Sequence, residues 1–216
     1  MAYRETDKMR DKRALIQGRI EQAALKIVAN GGFKALQMSD VAAAASIATG
    51  SLYRYFTNKE ALACRVFEMA SQQEVDQATA VISAHDDPIT GLEHALRTFA
   101  KRALKAPVLA WSLIAEPVDA AVDEKRLQYR LMYANVFAGA IQQAMERQQI
   151  SRQRAMLTAT AMVGAIAEAL IGPLADKAQI TLVPAAQQQV IDDIIHFCLH
   201  GLNITTHPPA SVRSES

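Results

Sequence analysis

The longest apolar run of the chain, Ala155–Ile171, constrains its fold more than any other segment. Thr158, Thr160, Gly164 and Glu168 interrupt it, which makes it a poor membrane span and a good buried helix. Its apolar side chains point nearly all round, and such a helix has to be covered on more than one side. The 216-residue chain must therefore supply several helices to pack it, with a second copy of the chain as the ready source of a further surface. The alternative is a core helix of a monomer. Only nine Gly and seven Pro are present, which disfavours β-architecture and disorder. Ala, Leu, Gln, Met, Arg and Glu abound, and all favour helix. The expected fold is all-α.

Apolar residues at steps of three and four divide the chain into about nine helices. Helix 1 follows the polar tail Met1–Asp11 and carries Leu15, Ile16, Ile20, Ala23, Ala24, Ile27 and Val28 on one stripe; Asn30-Gly31-Gly32 ends it. Helix 5 opens at Asp87-Pro88, a cap followed by proline at the first position, and turns Ile89, Leu92, Leu96, Phe99 and Ala103 inward. Helix 6 spans Val108–Ala115. Helix 7 runs from a cap at Asp119 to about Gln149, with Leu127, Leu131, Ala134, Ala138, Ile141 and Met145 as its stripe. Helix 8 runs from Ser151 to Ile171, stopped by Gly172-Pro173, and helix 9 opens at Pro184 with Val190, Ile191, Ile194, Ile195, Cys198 and Leu202 inward.

Charge is uneven. Residues 1–60 hold ten Lys/Arg against six Asp/Glu, while the rest holds 13 against 16. A basic first third on an acidic body suits a polyanion-binding head, although ordinary helix-surface charge gives the same bias. Within that third, Gln37–Leu62 reads as helix 2 over Ser39–Ala45, a turn at Ser46-Ile47-Ala48, and helix 3 over Thr49–Phe56. Val41, Ala42, Ala45, Leu52 and Phe56 face inward, while Thr49, Ser51, Tyr53, Arg54 and Tyr55 put hydroxyls, aromatics and a cation outside. That outer face suits phosphates and base edges. Helix 4 starts near Thr57 or Asn58, either of which can cap it, and Lys59 in its first turn suits an adjacent anion.

These residues carry a resemblance. Ile20-x-x-Ala23-Ala24, Gly31 or Gly32 followed by Phe33, Val41-Ala42, Ala45, Gly50-x-Leu52-Tyr53-x-Tyr55-Phe56 and Lys59-Glu60-x-Leu62 together resemble the DNA-binding domain of TetR-family transcriptional regulators. The resemblance covers about the first quarter of the chain. The polar, Pro-containing tail at 204–216 reads as disordered from its composition. The resemblance implies a three-helix helix-turn-helix domain at 1–57 and a ligand-binding and dimerisation domain at 58–203. It also implies a double-stranded DNA operator, with Thr49, Gly50 and Ser51 approaching the major groove, Tyr53 and Lys59 on phosphates, and Ser39 and Tyr55 flanking the groove. Three positions depart from the pattern. Ser46 stands where the family has Gly, Ala48 where it has a Ser cap, and Gln37 where it has Thr or Ser. A left-handed Ser46 is strained, and loss of a cap costs ~1 kcal/mol.

Helix 8 needs a second covering surface, so helices 8 and 9 are expected to pair with their copies in a homodimer; the resemblance further implies a small-molecule effector between helices 4 to 8. Phe99, Trp111, Met132, Tyr133, Phe137 and Met162 are the candidate walls, with Arg130, His94, Glu116 and Glu168 as candidate polar anchors. Each apolar residue suits a plain core role better than a ligand contact, because aromatics at helical spacing usually pack. Glu168 has three outlets: an ion pair with Arg130, a polar ligand atom, or water at the helix edge. The expected role is a cytoplasmic, effector-responsive repressor, neither membrane-bound nor enzymatic, with no cofactor or metal. The rival reading, a helical small-molecule enzyme, lacks a recognisable catalytic motif; His196 and His200 stand four apart, but no HExxH is present. Cys64 and Cys198 fit reduced thiols used as small hydrophobes. The charged N-terminus carries no secretory pattern.

Overall fold

The computed structural model describes residues 7–175 and 184–202; of the tails expected at Met1–Asp11 and 204–216, residues 1–6 and 204–216 lie outside the described residues. Nine α-helices follow one another among the described residues: α1 Asp7–Gly31, α2 Met38–Ala44, α3 Thr49–Leu52, α4 Lys59–Ser83, α5 Pro88–Lys105, α6 Pro107–Ile114, α7 Ala120–Glu146, α8 Ala155–Ala175 and α9 Pro184–His200. A 3-10 turn, Phe33–Ala35, joins α1 to α2.

Two cores hold them. The first joins Ile20, Ala24 and Val28 of α1 to Val41, Ala42 and Leu52 of α2 and α3, then to Leu62, Val66 and Phe67 of α4 and Val122 of α7. The second joins Leu92, Leu96 and Ala100 of α5 to Phe137 and Ile141 of α7, Ile166 and Leu170 of α8, and Ile191 and Ile195 of α9. Helix α4 contributes to both, so the first core runs past residue 57 into the body. Asn58 is the cap of α4, its Oδ1 accepting from Ala61 N at 2.7 Å. Asp87 caps α5 as expected, accepting from Thr90 N at 2.7 Å and Thr90 Oγ1 at 2.6 Å. Those bonds hold its carboxyl below the ordinary value of 3.8.

Four expectations need correction. Helix α1 begins at Asp7, and its early turns run clear of the core, leaving Leu15 68% exposed. The inward stripe of α7 keeps Ala134 and Ile141 as expected but is otherwise shifted by one position, toward Phe137 and Ala144. Val122, Ala134, Phe137, Ile141 and Ala144 are buried, while Leu127 is 65% and Leu131 57% exposed. One position is about 100° of helix, and the larger rings of Tyr129, Tyr133 and Phe137 take the inner face because they remove more apolar area from water. Helix α8 begins at Ala155, not Ser151, because Gln153 is engaged outside the helix: its Nε2 donates to Leu202 O at 3.0 Å and its Oε1 accepts from Thr158 Oγ1 at 2.9 Å. Its C-terminal end passes through Pro173 to Ala175. A proline two residues from a helix end forfeits one hydrogen bond, and buried Leu174 anchors the last turn.

Candidate nucleic-acid interface and regulatory cavity

The head is built around one left-handed residue. Helix α2 ends with Ser46 N donating to Ala43 O and Ile47 N to Ala42 O, both at 3.0 Å, while Ser46 sits at φ 55°. This is a Schellman ending, the position where glycine is usual. Arg19 reaches across from α1 and donates to Ala45 O, satisfying a further carbonyl at that end. Neither Gln37 nor Ala48 forms a side-chain cap. The regular part of α3 is shorter than expected: it stops at Leu52. Beyond it, Arg54 N donates to Ser51 O at 3.2 Å and Tyr55 N to Leu52 O at 2.9 Å, so the last turn tightens toward 3-10 geometry.

Buried Leu52 and Phe56 anchor this segment from beneath. Ser39, Thr49, Gly50, Tyr53 and Arg54 are exposed, with Ser51 and Lys59 half-exposed beside them. Tyr55 packs partly against the head core. Ser39 Oγ donates to Asp40 Oδ1 at 3.1 Å. The outer face of α2 and α3 therefore presents hydroxyls, an aromatic and cations to solvent on a rigid base, and Gly50 has open space where a Cβ would stand, so its backbone can be approached closely.

Behind the head, between α4, α5, α6, α7 and α8, lies a cavity of about 100 Å3. Phe67, Phe99, Tyr129, Tyr133 and Phe137 form its aromatic wall, and Leu109, Leu113, Val163 and Ile166 its aliphatic one. Phe99 and Tyr133 meet edge to face at 5.8 Å. The polar lining is largely committed. Arg102 binds Glu74 through Nε at 2.8 Å and Nη2 at 2.5 Å. Tyr133 Oη donates to Ser71 O at 3.4 Å, and burial pushes its hydroxyl pKa well up. Arg126 spends its donors on the carbonyls of Ser112, Leu113 and Glu116 and on Asp123. Arg130 lines the cavity, is exposed, and forms no ion pair or hydrogen bond among the described residues.

A family model described as bacterial regulatory proteins, tetR family, matches residues 20–66, the segment that forms this head. The head is a TetR-family DNA-binding segment. The fold of the whole chain agrees. A TetR-family transcriptional regulator from Pectobacterium atrosepticum superposes with a TM-score of 0.72 at 17% identity, covering 91% of this chain and 98% of that one. FadR from Bacillus subtilis, solved in complex with stearoyl-CoA, gives 0.67 at 19%, covering 82% and 97%. RolR, solved in complex with resorcinol, gives 0.63 at 18%, covering 92% and 96%. No curated protein matches the chain. The protein is thus a DNA-binding transcription regulator, and the enzyme reading gives way to that.

Within the body, the residues singled out from sequence divide. Phe99, Arg130, Tyr133 and Phe137 line the cavity. Trp111 and Met162 do not; both pack in the body core, because their neighbours on α6 and α8 take the inner face. Met132 lies outside the cavity, next to its lining neighbour Tyr133. Glu168 is exposed on α8, its third outlet, and pairs with no Arg130. His94 stacks on His85 at 4.5 Å, away from the cavity. Glu116 is buried and points to the head. Missed from sequence were Glu74, Arg102, Arg126, Tyr129 and Phe67; only a contact across three helices makes them cavity residues. Among the described residues no group of three potential metal ligands assembles. Burial pushes the Cys198 thiol up to about 11 and raises Cys64 as well, so both are protonated.

Helix α8 is long and apolar enough to cross a membrane by length and composition, yet it packs against α7, α6, α5 and α9. Its remaining face stays open: Leu157 is 62% exposed and Met156 41%, and Phe197 of α9 is 71% exposed.

Proposed function

We propose that this TetR-family protein is a homodimeric repressor that binds a pseudo-palindromic operator and is released by a small effector in the cavity between α4 and α8. The cavity carries the reading. It lies directly behind the head, and Phe67 belongs both to its wall and to the core that holds the helix-turn-helix. Support for the dimer comes from the open apolar face of α8 and α9, where Met156, Leu157 and Phe197 would be covered by a second copy. Two copies place two recognition helices on one duplex, with half-sites about 34–36 Å apart. Thr49 and Ser51 then read base edges, Tyr53 and Lys59 hold phosphates, and Ser39, Gly50 and Tyr55 fit the groove edges. Such a protein acts in the cytoplasm.

The effector proposed is compact and mainly apolar, with one acidic group. A cavity of about 100 Å3 is of the same order as the ~150 Å3 that holds benzene and far short of the room a long acyl chain needs, so a single ring suits it better. Arg130 at its edge is the available cation. FadR and RolR, with stearoyl-CoA and resorcinol, bracket the size range. The test has two steps. In vitro selection from random duplex DNA with the full-length protein recovers the operator. Native mass spectrometry and operator release are then scored against benzoate, resorcinol and stearoyl-CoA. Release by a single-ring acid at one equivalent per chain supports the proposal. Release by stearoyl-CoA alone would overturn the size assignment, and failure to enrich any DNA would overturn the operator.

A further inference from the structure

We propose that Glu116 is the contact through which the cavity sets the position of the helix-turn-helix head. This rests on the cavity being the effector site. Glu116 lies in the segment between α6 and α7 and is only 5% exposed. Its carboxylate reaches out of the body and accepts from Phe33 N at 2.9 Å and Lys34 N at 3.1 Å. Those are the first N–H groups of the turn that joins α1 to α2, and without Glu116 they have no partner within the turn. The head is shaped to receive it. Gly32 sits at φ 76°, and a Cβ there would stand 2.7 Å from both carboxylate oxygens. Backbone conformation and space each exclude a side chain at that position.

The other end of the contact belongs to the cavity. Arg126 lines it and donates to Glu116 O at 2.7 Å and Leu113 O at 3.0 Å. It thereby holds both the last turn of α6 and the peptide that carries Glu116. A second path arrives at the same place: Phe67 lines the cavity and stacks on Phe33 at 6.3 Å. A hydrogen-bonded path and an apolar one thus converge on Phe33, beside the helix-turn-helix. The guanidinium of Arg126 has five N–H groups and is engaged with Asp123 and three carbonyls. An acidic effector held by Arg130 lies beside Arg126 and competes for its donors, so the end of α6 loses them and the Glu116 peptide shifts with it. Operator and effector then oppose one another by the same factor, as linkage requires.

The coupling is read without effector, and benzoate, resorcinol and stearoyl-CoA are then tested for binding. Site-resolved amide exchange is measured on the full chain as wild type, Glu116→Gln, Glu116→Asp and Arg126→Lys. Both Glu116 variants should speed exchange at Phe33 and Lys34 by about tenfold while Ile166 in α8 keeps its rate. Arg126→Lys touches neither amide, yet should speed the same two. Operator affinity should fall in each, and the double variant Glu116→Gln/Arg126→Lys should lose no more than Glu116→Gln alone. Wild-type exchange at Phe33 and Lys34 in Arg126→Lys, or full additivity in the double variant, would overturn the coupling. If these shifts occur while benzoate, resorcinol and stearoyl-CoA all fail to bind, the effector reading falls and the coupling stands. If one of them binds the wild type and the shifts are absent, the coupling falls and the effector site stands.

Discussion

The head and the body put their polar side chains to opposite uses. On the head, Thr49, Tyr53 and Arg54 are exposed, and the structure beneath them exists to keep them so. In the body, Arg102, Arg126 and Tyr133 turn inward and are satisfied by Glu74, by the α6 carbonyls and by Ser71. A surface that meets DNA can leave its donors to water until the partner arrives. An apolar cavity cannot, because an unpaired polar group inside it costs about 1–3 kcal/mol. The lesson is that a polar residue's function follows from where its hydrogen bonds go. Outward groups are available to a partner, whereas inward ones already hold the scaffold in place.

Head and body meet most closely at Phe67, which is 1% exposed and belongs to the wall of the cavity and the core of the head. Phe67→Ala should cost about 3–5 kcal/mol and lower the melting of head and body together. Two separate thermal transitions, with the head unchanged, would show the two regions to be independent. At the outer face the effect should fall on binding alone. Lys59→Ala should weaken the selected operator several-fold and reduce its salt slope by about one, with melting unchanged. An unaltered slope in titrations at several salt concentrations would remove Lys59 from the interface.

Smaller effects test the local devices. Asp87→Ala should cost ~1 kcal/mol at neutral pH, because the cap of α5 is lost. The folded carboxyl is held below its ordinary value of 3.8, so its stabilisation is present above that value and lost as pH falls through the folded one. The gap between wild type and variant in denaturant melts should therefore close below about pH 4; a gap that persists in acid would deny the carboxylate its role. The least change is expected from Ser46→Gly. Relieving a non-glycine residue at φ 55° should stabilise the head by ~0.5–1 kcal/mol. A loss of stability would mean that the Ser46 hydroxyl contributes more than the strain it brings.

What the sequence determined by itself was local. The turn at Ser46, the cap at Asp87, the buried faces of α2 and α5 and the outward hydroxyls of α3 all depend on residues within a turn or two of one another. Helical spacing and cap chemistry operate at that range. Tertiary structure decided what depends on rotation and on distant partners. The face of α7 is one case: two stripes one position apart were both apolar, and the bulk of Tyr129, Tyr133 and Phe137 against α4 and α8 chose between them. Glu116 is the other. As one acidic residue before a proline it had the marks of a ligand anchor, but its two hydrogen bonds span more than 80 residues to Phe33 and Lys34. No periodicity reports a contact at that separation, because chain spacing governs side-chain direction only within an element.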